Sequence, residues 1–397
     1  MAEDGPVDES TEHPPGHQNG HSPPVVPIEL FFDLVFVFVL SQITHAIQDD
    51  LSLNGLFRSL IYFLLLWSVW VGFAWVGNAH RAGDLDDGGI PRRLIIIAAM
   101  ALLIALGLVL PEAATGLAVP AAVLYCLLFV LYAADYLLTA RQDRALRRAV
   151  VRMLVLQALV PAAALVVALW LPSSWGLVAI LAALAIGYAA PWITREQDWQ
   201  FSAEHADERF SLLMLIVLGE SLLSIGFGAA LEPFGWLTVA TIVLGVLIVA
   251  ALWWQYFDIV AHQGAAYLNR LDAARRISMS RVIYSYLHVP LVVAVLLMAV
   301  GLHAASEAPR EPLPIPQSVM LPAGIALYLA TLAVIRLIMR GRILWPLPIA
   351  AALTLLVIPL AGALPALASE ILCVLILLVL VVARETYKRR GAIQPIR

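Results

Sequence analysis

The sequence predicts an all-α, polytopic transmembrane helix bundle of about twelve spans. Three observations carry that prediction: apolar composition, the spacing of the apolar runs, and the distribution of basic residues. Of 397 residues, 62% are apolar and 13% charged, with a mean hydropathy of +0.89; soluble domains are roughly 45–50% apolar and 25% charged. A bilayer core about 30 Å thick needs about 20 mostly apolar residues per helix. Such runs fall at 27–47, 56–77, 92–110, 118–139, 148–171, 174–192, 210–231, 236–257, 281–303, 318–338, 344–363 and 366–383, parted by charged or Pro/Gly-containing breaks. Charge checks the count. When each of the 24 Lys and Arg is assigned to the nearest run end, Arg58 and Arg310 fall on one side and the remaining 22 on the other. A miscounted run would mix the two classes. Basic residues stay cytoplasmic, so both termini are predicted inside the cell.

Residues 1–26 form an acidic tail with Glu3, Asp4, Asp8, Glu9 and Glu12, without Lys or Arg, and read as disordered. His13, His17 and His21 lie four apart, but Pro14 and Pro15 forbid the helix that would align them on a metal. The bundle occupies 27–383, and 384–397 is a basic cytoplasmic tail. Trp175, Phe234 and Trp236 stand at outer ends of runs and Trp345 at an inner end, as interfacial anchors. "PREPLPIP" at 309–316 is an outer loop, and "YLNRLDAARRIS" at 267–278 a short surface helix. Cys126 and Cys373 lie inside apolar runs as packing residues. A net charge of −4 spread over the loops excludes nucleic acid as a partner and leaves the lipid bilayer.

Run 7 opens "ERFSLLMLIVLGES", echoing "ELFFDLVFVFVLSQ" of run 1, with Glu208 and Phe210 matching Glu29 and Phe31 at an offset of 179. Run 8 sets Trp254 and Phe257 against Trp70 and Phe73 at an offset of 184. Six helices per half is even, so halves 27–192 and 208–383 would form a parallel 6+6 repeat.

A carboxylate at mid-membrane costs on the order of 3 kcal/mol on insertion scales, which makes each one a functional candidate when it faces a cavity or a partner. Asp33, Asp135, Glu220, Asp258 and Glu370 qualify. Glu29 precedes Asp33 by four residues, so the two carboxylates stack on one helical face that needs a cation, a proton or water. Arg209 and Glu220 are eleven residues apart, three turns, so they share a face with Glu220 roughly 16 Å deeper. Gly219 opens the backbone beside Glu220, and Ser221 supplies a hydroxyl. The competing reading is structural: Glu220 in an interhelical hydrogen bond, and Arg209 paired with Glu29 or Asp33 to lock two helices. Trp67, Trp70, Asn78 and Arg81 share one broad face of run 2; the two indoles lie too deep for an interface belt and either wall a pocket or pack. Asp258 and His262 repeat the i, i+4 spacing, with His288 in run 9 and Asp135 near the inner end of run 4. They supply half a metal site at most, so no metal is assigned. Glu370 near the outer end of run 12 reads as reaching the surface. The polar residues concentrate in the cytoplasmic half, which predicts an inward-opening cavity bounded by runs 1, 2, 7 and 8.

At "ELFFDLVFVFVLSQITH", "LWSVWVGFAWVGNAHR" and "ERFSLLMLIVLGESLL" the chain resembles the bacterial low-temperature-requirement A family, from about residue 25 to the end. The resemblance implies a multi-spanning bacterial membrane protein linked by its name to growth in the cold. It marks Glu29, Asp33, Asn78, Glu208, Arg209, Gly219, Glu220 and Ser221 as family-pattern positions and gives them no roles.

Three functions compete. In the first, a secondary transporter or ion pathway, Asp33 and Glu220 bind a cation or proton, Arg209 gates by pairing with them, and Trp67 and Trp70 wall the route. In the second, an enzyme acts on lipid or a lipid-linked substrate; no HExxH, GxSxG or P-loop pattern occurs and no cofactor is indicated, so this needs Asp258, His262 and His288 to meet. In the third, a non-catalytic envelope or lipid-sensing protein uses the acids as locks and its basic loops on anionic lipid.

Overall fold

The computed structural model describes residues 26–83, 89–113, 116–139, 151–152, 154–193, 201–231, 233–261 and 263–389. All regular structure among them is helical. In chain order the helices are α1 (Pro27–Asp49), α2 (Leu53–Gly83), α3 (Gly89–Val109), α4 (Ala118–Thr139), α5 (Leu154–Trp170), α6 (Ser173–Ile193), α7 (Ala203–Ala229), α8 (Trp236–Tyr256), α9 (Ala273–Glu307), α10 (Ile315–Arg340), α11 (Pro346–Ala361) and α12 (Ala366–Arg389). Each predicted apolar run falls on one helix. Ten are long and apolar enough to cross a membrane; α5 and α11 are apolar but shorter.

Proline explains the interruptions, because it lacks an N–H and crowds the carbonyl four residues earlier. In α11 the helix breaks between Leu355 and Ile358, where Pro359 denies a partner to the Leu355 carbonyl. In α5 a π-helical stretch, Leu154–Leu159, precedes Pro161, and α9 contains another, Arg281–Tyr286, just before Pro290. A third π-helical stretch, Phe257–Ala261, prolongs α8, followed by a short helix over Gly264–Leu268. Side chains take up carbonyls in these segments: Tyr125 Oη donates to Gln157 O at 2.8 Å, and Trp67 Nε1 to Ser285 O at 2.9 Å. Inside a bilayer such carbonyls have no water to fall back on, so tyrosine and tryptophan donors make the breaks tolerable.

Lipid tails are as apolar as leucine, so close packing and internal polar contacts hold the bundle together. Between α9 and α10, a Cβ at Gly324 would lie 2.7 Å from Ala294 O, so glycine is what lets these backbones approach. The centre is aromatic: Trp67 and Trp70 stack with ring centroids 5.1 Å apart, Phe36 stacks on Trp70 at 5.7 Å, and Phe210 meets Trp70 edge-on at 4.9 Å. Each such pair contributes about 0.5–1.5 kcal/mol beyond its buried area. The predicted anchors Trp175, Phe234, Trp236 and Trp345 are all exposed at helix ends. The segment predicted as a separate surface helix instead runs into α9: Asp272 caps it by accepting from Arg275 N at 3.0 Å, and the helix continues into the π-helical stretch.

Candidate functional site

The site is built from the openings of α1 and α7. Pro27 starts α1 with φ pre-set for helix, which places Glu29 and Asp33 one turn apart on a buried face. The α7 helix begins at Ala203, about two turns before its apolar run. Its N-cap Ser202 accepts from His205 N at 3.2 Å, and Asn78 of α2 clamps the Ser202 backbone, donating to its carbonyl at 2.7 Å and accepting from its N–H at 2.9 Å. Those extra turns carry His205, Asp207 and Arg209 into the bundle.

There Arg209 meets α1. Its Nη2 lies 3.3 Å from Asp33 Oδ1 and its Nη1 3.8 Å from Glu29 Oε1. Arg92 of α3 approaches the same Glu29 oxygen at 3.0 Å and Asp135 Oδ1 of α4 at 3.5 Å, while His205 Nε2 lies 3.4 Å from Glu29 Oε2. Trp70 Nε1 donates to Asp33 Oδ1 at 2.7 Å, and the Arg209 guanidinium sits 5.6 Å from the Trp70 ring centroid, a cation–π contact. Asp33 is 0% exposed, and among the described residues its Oδ2 has no hydrogen-bond partner. Charges in so dry a place interact strongly, and changing the charge of one member changes the whole balance. The cluster therefore can respond to a single proton.

Of the predicted residues, Glu29, Asp33, Asp135, Arg209 and Trp70 converge here, and Asn78 supports them. Pairing of Arg209 with Glu29 and Asp33, the structural alternative in the sequence, is realised. Glu220 and Ser221 lie elsewhere, three turns further along α7; both are buried, and among the described residues Glu220 makes no hydrogen bond or ion pair. Trp67 packs in the aromatic centre and bonds Ser285 O. His288 does not meet Asp258. Its Nδ1 must donate to Ile283 O at 2.8 Å, which leaves Nε2 to accept from Tyr256 Oη at 2.9 Å. Asp258 instead pairs with Arg384 at 3.5 Å, and His262 lies outside the described residues. Of the pairs matched for a repeat, Trp254 is 50% exposed where Trp70 is buried. Likewise Glu208 and Phe31 are exposed while their matches Glu29 and Phe210 are buried. An offset of 178 sets Glu29 with Asp207 and Phe32 with Phe210, all buried, but also buried Arg209 with exposed Phe31. Glu370 is also corrected, since it is fully buried and does not reach the surface.

Arg92, His205 and Asp207 were missed. Arg92 reads in sequence as one of a cytoplasmic basic pair, and His205 and Asp207 fall before the apolar run; only the capping serine, three residues ahead of His205, signals the earlier helix start. Asp207 accepts from Tyr284 Oη at 2.7 Å.

Among the described residues, small gaps of about 10 Å³ lie on either side of Arg209. A larger cavity of about 60 Å³ lies among α2, α4, α5, α6 and α9, lined by Ser68, Trp75, Tyr125, Gln157, Tyr188 and Tyr286, among others. Residues of both π-helical stretches line it: Gln157 of α5, and Arg281, Ser285 and Tyr286 of α9.

Fold and cluster together define a polytopic α-helical membrane protein with an ion-pair network at its interior. A sequence model of the bacterial low temperature requirement A protein (LtrA) matches residues 24–382, and the chain belongs to that family. It is also similar to an uncharacterized protein of Rhizobium meliloti (strain 1021), at 29% identity over 303 residues, covering 69% of this chain and 67% of that protein.

Proposed function

We propose that this protein is a secondary transporter or ion pathway of the bacterial cytoplasmic membrane, working with a proton or a cation, with both termini in the cytoplasm. One observation carries the reading: Arg209 divides its charge between two buried carboxylates, and the nearer of these, Asp33, keeps one oxygen without a hydrogen-bond partner among the described residues. A proton on that oxygen removes the charge that holds Arg209, which then belongs wholly to Glu29. Two arrangements of one arginine make a bistable element tying α7 to α1. Glu220, deeper on α7, is the next station on the route. The 22-to-2 basic asymmetry supports the orientation, and a 6+6 repeat in the 178 register would put a second acidic position, Asp207, opposite Glu29.

The test is flux. Purified protein in liposomes should move protons or a monovalent cation, with Asp33→Asn and Glu220→Gln abolishing flux while remaining folded. One observation favours a second reading, the acids as a helix lock: Glu29 is ringed by Arg92, Arg209 and His205. Absence of flux in wild type with every ion tried, together with a loss of stability in the variants, would decide for the lock.

A further inference from the structure

A second charged assembly lies where α8, α10 and α12 end, on the basic side of the bundle. Arg336 Nη1 donates to Gln263 Oε1 at 2.9 Å. Arg340 sends Nε and Nη2 to the same oxygen, at 3.1 and 2.8 Å. Arg384 donates to Gln255 Oε1 and reaches Asp258 Oδ2 at 3.5 Å, while Gln263 Nε2 donates to the Asp258 carbonyl at 2.7 Å. Arg336 and Arg384 are buried, and Arg336 is close enough to Arg340 and Arg384 to be repelled by both. The acids here are Asp258, already engaged by Arg384, and the exposed Glu385.

Two guanidiniums therefore converge on one neutral amide oxygen. Among the described residues Arg336 has no other acceptor. A guanidinium is shaped to bind an oxyanion through two parallel N–H groups, and an amide oxygen offers neither the charge nor the second acceptor. The ends of three helices bring dipoles that favour cations, which eases the repulsion without giving Arg336 an anion. A cleft lined by Trp254, Gln255, Asp258, Val381, Arg384 and Glu385 opens on the Arg384 side of the cluster, with Asp258 held by Arg384, and the exposed Trp254 belongs at headgroup depth.

We propose that Arg336, Arg340 and Arg384 form a binding site for a phosphate anion at the membrane–water boundary. The phosphate is that of an anionic phospholipid headgroup or of a soluble phosphate, and the chemistry of recognition is shared. Basic pockets between helix ends on the cytoplasmic side are where such headgroups bind. The site is separate from Asp33, so it stands or falls independently of transport.

The test is a thermal-melting titration of the full-length protein in zwitterionic detergent, with phosphatidylglycerol, phosphatidylcholine or inorganic phosphate added in parallel. Phosphatidylglycerol should raise the melting temperature saturably and phosphatidylcholine should not. In Arg336→Gln/Arg340→Gln, half-saturation should need roughly tenfold more lipid or beyond, the loss of charged hydrogen bonds. Arg340→Gln alone, at a half-buried helix end, should show a smaller shift in the same direction and guards against misfolding of the double variant. Stabilisation by inorganic phosphate that the double variant loses would assign the site to a soluble anion; no response to it would assign the lipid. Equal half-saturation in wild type and both variants, or an equal response to phosphatidylcholine, would overturn the proposal.

Discussion

Arg209 of α7 holds two carboxylates of α1 at once, Asp33 at 3.3 Å and Glu29 at 3.8 Å, with all three side chains buried. Neither contact has the length of a tight charged hydrogen bond, so one cation is shared between two anions. Arg209→Gln leaves Asp33 with Trp70 as its one described partner and no cation, while Glu29 keeps Arg92 and His205, and should cost about 3–5 kcal/mol. Adding Asp33→Asn should recover a large part of that. A double-mutant cycle of unfolding in detergent measures the coupling, and additive losses would mean that the two residues do not act as a pair.

Gly77 of α2 faces this cluster. A Cβ there would lie 2.6 Å from Glu29 Oε1 and 2.7 Å from Arg209 Nη1, whereas one at Gly219 meets nothing within 4 Å. Gly77→Ala should therefore destabilise by about 1–3 kcal/mol through overpacking. Gly219→Ala should be neutral or stabilising by up to about 1 kcal/mol, from helix propensity alone. Comparing the melting temperatures of the two variants checks the placement of the cluster beside α2.

Trp70 contributes both a ring and a donor. Trp70→Phe keeps an aromatic face for Phe36 and Phe210 but removes the 2.7 Å bond to Asp33, leaving that carboxylate Arg209 alone among its described partners. The expected loss is about 1.5–3 kcal/mol, the range for hydrogen bonds to charged groups. In an Asp33→Asn background the loss should shrink, and an unchanged loss would show that packing dominates at Trp70.

Tyr125 answers a proline. Its hydroxyl takes the Gln157 carbonyl that Pro161 leaves without a helical donor, so Tyr125→Phe should cost about 1–3 kcal/mol. In Pro161→Ala the new N–H can reach that carbonyl, and Tyr125→Phe should then cost less. Equal costs in both backgrounds would break the link between the proline and the π-helical stretch.

The helix inventory was legible because a membrane span must be about 20 apolar residues long and alternate in sidedness, and both constraints are visible residue by residue. Glu29 and Asp33 were legible because charge inside an apolar run is costly, and Arg209 because it stands at the mouth of the next such run, three turns from Glu220. The rest depends on tertiary contact. Arg92 looks like any basic residue at a helix mouth until α3 is packed beside Glu29. His205 was lost because its helix starts at a cap fixed by Asn78 from another helix. The cavity beside Tyr125 and Gln157 was not legible because periodicity cannot show which helices leave a gap between them. Glu220 lies three turns beyond Arg209 on the same helix, but a shared helix face does not guarantee a shared partner.

The central claim is that Asp33 exchanges a proton with water in the folded protein. Infrared difference spectra of the reconstituted protein across a pH step, comparing wild type with Asp33→Asn and Glu370→Gln, test it most directly. The account predicts a protonated-carboxyl band that disappears in Asp33→Asn and survives in Glu370→Gln. A spectrum in which no carboxyl band depends on Asp33 would contradict it and leave Arg209 and its two carboxylates as a fixed bolt between α1 and α7.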